Sequence, residues 1–201
     1  MFVRKNQKQN KTTIAMIGTL SGVGVTYAAI SFATYLTYYG NYRVALIEGN
    51  ESMHFSYIRR AASIKRTTST TEQAEYFRVG GIDYYPSSGE EPWLQLQAMP
   101  YDYVLVDYGT YEEARKNQYA RCNYRFLIGS LCEWKREGYE AVLQKEVVGV
   151  KMDFCLATLG LKYDMKDFNK EFAIKLYGIP CIYDPFVLVK EVIQFWRSFS
   201  I

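Results

Sequence analysis

Short, nearly unbroken apolar runs separated by helical stretches constrain this chain more than any other feature of its sequence. The runs lie at residues 13–18 (TIAMIG), 43–47 (RVALI), 81–85, 103–107 (YVLVD), 125–129, 152–157 and 179–183. Strands apolar on both sides belong to sheets covered on both faces. Between them, helical patterns cover 26–39, 53–62, 90–98, 133–147, 167–177 and 188–199, the first closed by Gly40 as a C′ residue. Regular strand–helix alternation builds βαβ units. The expectation is an α/β fold, a mostly parallel sheet of about seven strands with helices on both faces. No repeat or linker divides the chain, and only 67–71 (TTSTT) is of low complexity and reads as a loop. A length of 201 residues therefore fits one domain over 13–201, preceded by a flexible basic tail over 1–12.

Composition removes several classes of function. Four cysteines (Cys122, Cys132, Cys155, Cys181) form no C-x-x-C pair, and His54 is the single histidine. Zinc sites and Ser-His-Asp or Cys-His chemistry have too few residues to work with. No apolar run reaches membrane-spanning length and the first dozen residues lack an apolar core, so a cytoplasmic protein is expected. The net charge is +3, of which Arg4, Lys5, Lys8 and Lys11 supply +4, leaving −1 on the remainder. A near-neutral body argues against nucleic acid as its main partner. Aromatic residues reach 16%, with 19 tyrosines, a load suited to half-buried and interface positions.

The first strand–helix junction carries chemistry. Thr19-Leu20-Ser21-Gly22-Val23-Gly24-Val25-Thr26-Tyr27 lies between the first apolar run and the first helical pattern. Glycines there let the backbone curl, N–H groups converge, and the helix N-terminus adds its dipole, which together make an anion cradle. A second strand ends in an acid, Asp107. With the Thr26 hydroxyl it forms the usual pair for holding Mg²⁺ beside a nucleotide, provided a nucleotide binds.

These residues resemble the deviant Walker A loop of the ParA/MinD group of P-loop ATPases, K-G-G-x-G-K-[ST], aligned on Leu20 to Thr26. LIEGN at 46–50 is similar to the group's L-I-D-x-D, and YDYVLVDYG at 101–109 to its Walker B strand. The resemblance implies a Rossmann-like P-loop NTPase fold. The departures bear on function. Leu20 stands at the signature lysine that crosses a nucleotide-sandwich dimer, and Val25 at the lysine that neutralises the β/γ-phosphates. Glu48 and Asn50 stand at the two switch aspartates, and bulky Tyr27 follows Thr26. Phosphoryl transfer depends on positioning and electrostatic stabilisation, so losing both lysines removes the charge the transition state needs. No arginine lies near the motifs in sequence, though one can arrive through space. Three readings are open: an emptied cradle, weak non-hydrolytic binding of ATP with Mg²⁺ or another anion, and slow ATP hydrolysis. The first is preferred, with no cofactor and no catalytic residue. The resemblance, nearest to a TadZ/CpaE-like branch with irregular Walker motifs, implies a pseudo-ATPase that positions or assembles a larger machine; the alternative is a weak partitioning-type ATPase.

Elsewhere the simpler reading is preferred. Arg59, Arg60, Lys65 and Arg66 read as a solvated helix end, and His54 has no acid–base partner in sequence. Tyr35, Tyr38 and Tyr39 share a helix face suited to packing or to a constitutive homodimer. Leu188, Val189, Val192, Ile193, Trp196 and Phe199 form a broad apolar face with few basic neighbours. That suits a last helix packed on the sheet, or a dimer surface, better than a membrane contact.

Overall fold

The computed structural model describes residues 11–64, 76–86, 99–146, 150–181, 183–199 and 201. The expected helix at 90–98, the loop at 67–71, Lys65, Arg66 and nearly all of the basic tail lie outside them. Eight strands form one sheet in the order β3-β4-β2-β5-β1-β6-β7-β8. They are β1 (Thr12–Gly18), β2 (Val44–Glu48), β3 (Phe77–Val79), β4 (Ile82–Tyr85), β5 (Tyr103–Thr110), β6 (Tyr124–Gly129), β7 (Phe154–Ala157) and β8 (Leu176–Gly178). All neighbours pair in parallel except β3 and β4. Among the described residues the helices are α1 (Val25–Tyr38), α2 (His54–Ile64), α3 (Lys116–Ala120), α4 (Glu133–Glu146), α5 (Lys162–Phe172) and α6 (Lys190–Arg197).

The period-2 geometry of a strand divides the core in two. Ile14 and Met16 of β1 face α1 and α6, among Phe32, Phe126 and Trp196. Ala15 and Ile17 face the opposite layer, among Tyr119, Tyr139 and Phe168. β1 lies between β5 and β6, with Met16 in register with Asp107, while Glu48 of β2 is in register with Asp107 from the other side. Parallel alignment thus gathers the carboxyl ends of β1, β2 and β5 at one edge, where ligand sites of open α/β sheets form.

The structure differs from several expectations. The last strand is Leu176–Gly178 and not 179–183. α5 ends five residues earlier than expected because Ala173 adopts a left-handed conformation (φ 51°), turning the chain into β8. Gly40 follows the C-cap residue Tyr39 as expected, and the left-handed residue comes one later, Asn41 at φ 54°. Gly40 is needed for room, since a Cβ there would come within 2.5 Å of the Tyr42 ring. The β3–β4 hairpin was not expected, which raises the strand number to eight.

The C-terminal helix closes one face. Trp196 is fully buried, stacks on Phe32 at 4.5 Å and donates Nε1–H to the Ser31 hydroxyl at 2.9 Å. Val192 and Phe199 are buried beside it, so the apolar face of α6 is packed on α1 and the sheet and is not an open dimer surface. No helix among the described residues is long and apolar enough to cross a membrane. Trp196→Ala is expected to destabilise the fold by about 3–5 kcal/mol and Ser31→Ala by about 1 kcal/mol, read by urea unfolding.

Candidate functional site

The chain leaves β1 at Gly18 and curls back to α1 through a loop that needs two left-handed residues, Gly22 (φ 71°) and Gly24 (φ 93°). Gly24 caps α1, its carbonyl accepting Ala28 N–H at 2.9 Å. No side chain caps that terminus, which leaves its first N–H groups without a side-chain acceptor. Thr19 N–H donates to Ile128 O at 2.9 Å, while its buried hydroxyl has no partner among the described residues. Ser21 and Gly22 form an exposed crest, and Val23 turns into the core.

The two lysine positions are packing positions. Val25 is 7% exposed, and its Cγ2 would stand 2.6 Å from a Cβ on Gly18. Leu20 leans on Gly138 of α4, filling the space a side chain there would need. The switch positions are structural as well. Glu48, buried, accepts the Ser52 hydroxyl at 3.0 Å and Phe55 N–H at 3.2 Å, which fixes the start of α2. Asn50 donates to the Asp107 carbonyl at 2.8 Å, accepts Ser52 N–H at 2.8 Å, and lies against Gly109.

The structure does bring Thr26 and Asp107 together. The Thr26 hydroxyl donates to Asp107 Oδ2 at 2.6 Å, and Gly109 N–H donates to Oδ1 at 2.9 Å. His54 joins them, its Nδ1 lying 3.1 Å from Thr26 Oγ1. Sequence spacing gave no sign of that contact, because it forms only when α2 returns to the first helix. Burial holds the Asp107 carboxyl above its usual range, with neighbouring Glu48 adding to the effect; the Thr26 and Gly109 hydrogen bonds and His54 oppose it.

Two cations reach this region from elements distant in sequence. The Arg115 guanidinium donates to Gly49 O and pairs with Glu112 at 3.0 Å, so its charge is already compensated. Lys135 Nζ, from α4, lies 2.7 Å from Gly22 O and 3.4 Å from Ser21 O. Arg59 and Arg60 of the expected basic patch lie on α2, Arg60 over the Tyr57 ring at 5.8 Å.

A cleft of about 480 Å³ opens in front of the loop, lined by Gly24, Thr26, Asn50, His54, Glu51 and Glu112 among others. A second, of about 430 Å³, lies behind it against Thr158, Pro180 and Cys181. Tyr27 lines both, and burial, Asp184 and Cys181 raise its phenol above the ordinary value. For a divalent cation, Thr26 and Asp107 offer hard oxygen donors. No group of three or more His, Cys, Asp or Glu among the described residues could hold a metal alone, so remaining ligands would have to come from phosphate and water.

No protein-family model and no curated protein sequence matches the chain. Solved structures do match. A plasmid partition protein from Borrelia burgdorferi bound to AMPPNP aligns at a TM-score of 0.66 and 17% identity, over 94% of this chain and 95% of that one. MinD in a MinC:MinD complex from Aquifex aeolicus aligns at 0.63 and 14%, over 94% and 97%. A ParA family ATPase from Chlorobium tepidum aligns at 0.59 and 13%, over 92% and 90%. The chain therefore has the ParA/MinD-type P-loop fold.

A carboxyl whose pKa is raised by folding favours the fold less as pH climbs from its unfolded value through its folded one. Asp107 is thus a source of instability at neutral pH. Asp107→Asn is expected to raise the melting temperature by roughly 2–4 °C at pH 7, about 1 kcal/mol, with the gain vanishing toward pH 3. Calorimetry across that range measures it.

Proposed function

We propose that this protein is a non-hydrolysing protein of ParA/MinD fold that works by binding other proteins, in positioning or assembling a larger cellular machine. The observation that carries the reading is the packing of Leu20 and Val25. Each side chain occupies space against a glycine, so neither lysine position can present a charge to phosphate. Glu48 and Asn50 are engaged in holding α2 and the end of β5, which leaves no free carboxylate at the switch positions to orient an attacking water. Glu51 at the front cleft further disfavours a triphosphate.

A second reading, weak nucleotide binding, is favoured by the intact Thr26–Asp107 pair and by AMPPNP in the Borrelia burgdorferi structure. If ATP with Mg²⁺ binds here, the loop N–H groups would take the phosphates, and Thr26 and Asp107 the cation. The ion would neutralise phosphate charge, while this chain's residues position it. Partners are read from the same fold-level likeness, since one matching structure is a MinC:MinD complex. The single domain over 13–201 with its basic tail belongs to this proposal too.

Purified protein is expected to hydrolyse no ATP above a protein-free blank and to bind Mg-ATP no tighter than high micromolar, about 5–6 kcal/mol. Turnover abolished by Asp107→Ala would overturn the reading. Val25→Lys with Leu20→Lys is expected to strengthen binding at least tenfold without restoring turnover, and to cost about 1–3 kcal/mol of stability, because both sites are packed.

Association is expected to be independent of nucleotide. With Leu20 in place of a crossing lysine, any homodimer would form through apolar and aromatic surface, of which exposed Tyr38 and Tyr39 at the end of α1 are the best placed. Light scattering after gel filtration should return the same mass with and without Mg-ATP. A monomer that pairs only when ATP is added would contradict it.

A further inference from the structure

The outer edge of the sheet, away from the glycine loop, carries a basic face. β8 is the last strand, paired only with β7, and α5 packs beside it. Asn169 fastens helix to strand, its Oδ1 accepting Leu176 N–H at 2.7 Å. An open cleft of about 380 Å³ lies here, lined by Lys162, Met165, Lys166, Asn169, Lys170 and Leu176. Met165 and Leu176 belong to the apolar layer beneath and give the cleft an apolar floor. The three lysines are exposed and stand four residues apart, so they share one side of α5 over roughly 12 Å.

Like charges at that spacing repel and weaken a helix, and nothing nearby offsets them. The acids of α5 are turned elsewhere. Asp164 accepts Leu161 N–H at 3.2 Å and closes the helix start, while Glu171 pairs with Arg136 of α4 at 3.0 Å. Asp167, three residues after Asp164 and four before Glu171, falls on the side those two share. Among the described residues no carboxylate forms an ion pair with Lys162, Lys166 or Lys170. Three uncompensated positive charges are thus concentrated on a body, residues 13–201, whose net charge is −1.

We propose that the α5–β8 cleft is a docking site for an acidic segment of a partner protein, with its carboxylates on the three lysines and an apolar side chain on Met165 and Leu176. The inference rests on the protein-binding reading above and names the chemistry of one partner. Charge complementarity selects an acidic ligand, and the apolar floor selects a peptide among acidic ligands. A nucleic-acid backbone has no apolar side chain to seat there, and the lining residues include neither an arginine nor an aromatic ring on which a base could stack. Exposed charges at such a rim steer encounter and choose the partner more than they add affinity, so binding should be weak and salt-sensitive.

The experiment is titration of the isotope-labelled full chain with a synthetic peptide of repeated Glu-Glu-Leu, followed by backbone amide shifts. Shifts are expected over residues 162–170 and 176–178, with a high-micromolar Kd that weakens as salt rises. A Gln-Gln-Leu peptide should bind roughly tenfold more weakly or worse, as should the triple variant Lys162→Gln, Lys166→Gln, Lys170→Gln. The corresponding triple arginine variant should stay within about threefold of wild type. The glutamine variant should melt no lower than wild type, because its substitutions relieve repulsion on α5, so its loss of binding is read on a folded protein. Unchanged affinity of the glutamine variant would overturn the proposal, as would shifts confined to another face or no binding by wild type. A short DNA duplex that shifts the same amides at lower concentration than the peptide would also overturn it, making this a nucleic-acid surface. Each of those results leaves the non-hydrolysing reading standing, whereas ATP turnover would remove that reading without altering the peptide result.

Discussion

A carboxylate with no solvent exposure, Asp107 at the carboxyl end of β5, ties together the parts of the site. One oxygen accepts from Thr26 on α1, the other from Gly109 as the chain leaves the strand. Its main-chain carbonyl accepts both Gly49 N–H and the Asn50 side chain from the β2–α2 connection. A buried charge is costly unless hydrogen bonds surround it; here Thr26 and Gly109 supply them to the carboxylate, while the β2–α2 connection bonds the carbonyl of the same residue. Loop, first helix and second connection are therefore registered against one residue.

The same logic explains how the loop keeps its shape with apolar residues where charge would be expected. A glycine loop held around a ligand has that ligand to fill its inner side. Here Val25 fills the space over Gly18, and Val23 turns inward beside it. Leu20 anchors the outer side to Gly138. The cradle is thus held from within and does not rely on an occupant for its form. The backbone curvature is carried by Gly22 and Gly24, and Lys135 meets the crest from α4 through the Ser21 and Gly22 carbonyls.

Much of this was legible in the sequence because local rules and tertiary structure agree. Strands such as TIAMIG and YVLVD are buried on both faces and read as such, Gly22 and Gly24 are left-handed, and Thr26 meets Asp107. Misreadings came where one residue acted against type. Ala173, with no glycine to announce it, turned left-handed and cut a helical pattern short of β8. Val79-Gly80-Gly81-Ile82 did carry a hairpin signal, two positive-φ glycines between apolar residues, but three-residue β3 gave too little alternation to register as a strand. His54, Arg115 and Lys135 were invisible for a different reason. Each reaches the site from a helix or turn whose placement depends on the whole sheet, and sequence separation carries no trace of such contacts.

A lysine within the loop is fixed by the loop's own turn, but Lys135 is fixed by how α4 packs. α4 is held through Tyr139, which is fully buried, rests over Gly129 and donates its hydroxyl to Leu156 O at 3.0 Å. Arg136, next in sequence to Lys135, pairs with Glu140 at 2.7 Å and Glu171 of α5 at 3.0 Å, joining α4 to its neighbour. The position of the ammonium over Ser21 and Gly22 is thus coupled to the α4–α5 layer, not to the motif. Lys135 thereby joins that layer to the Ser21–Gly22 turn through its two carbonyl contacts.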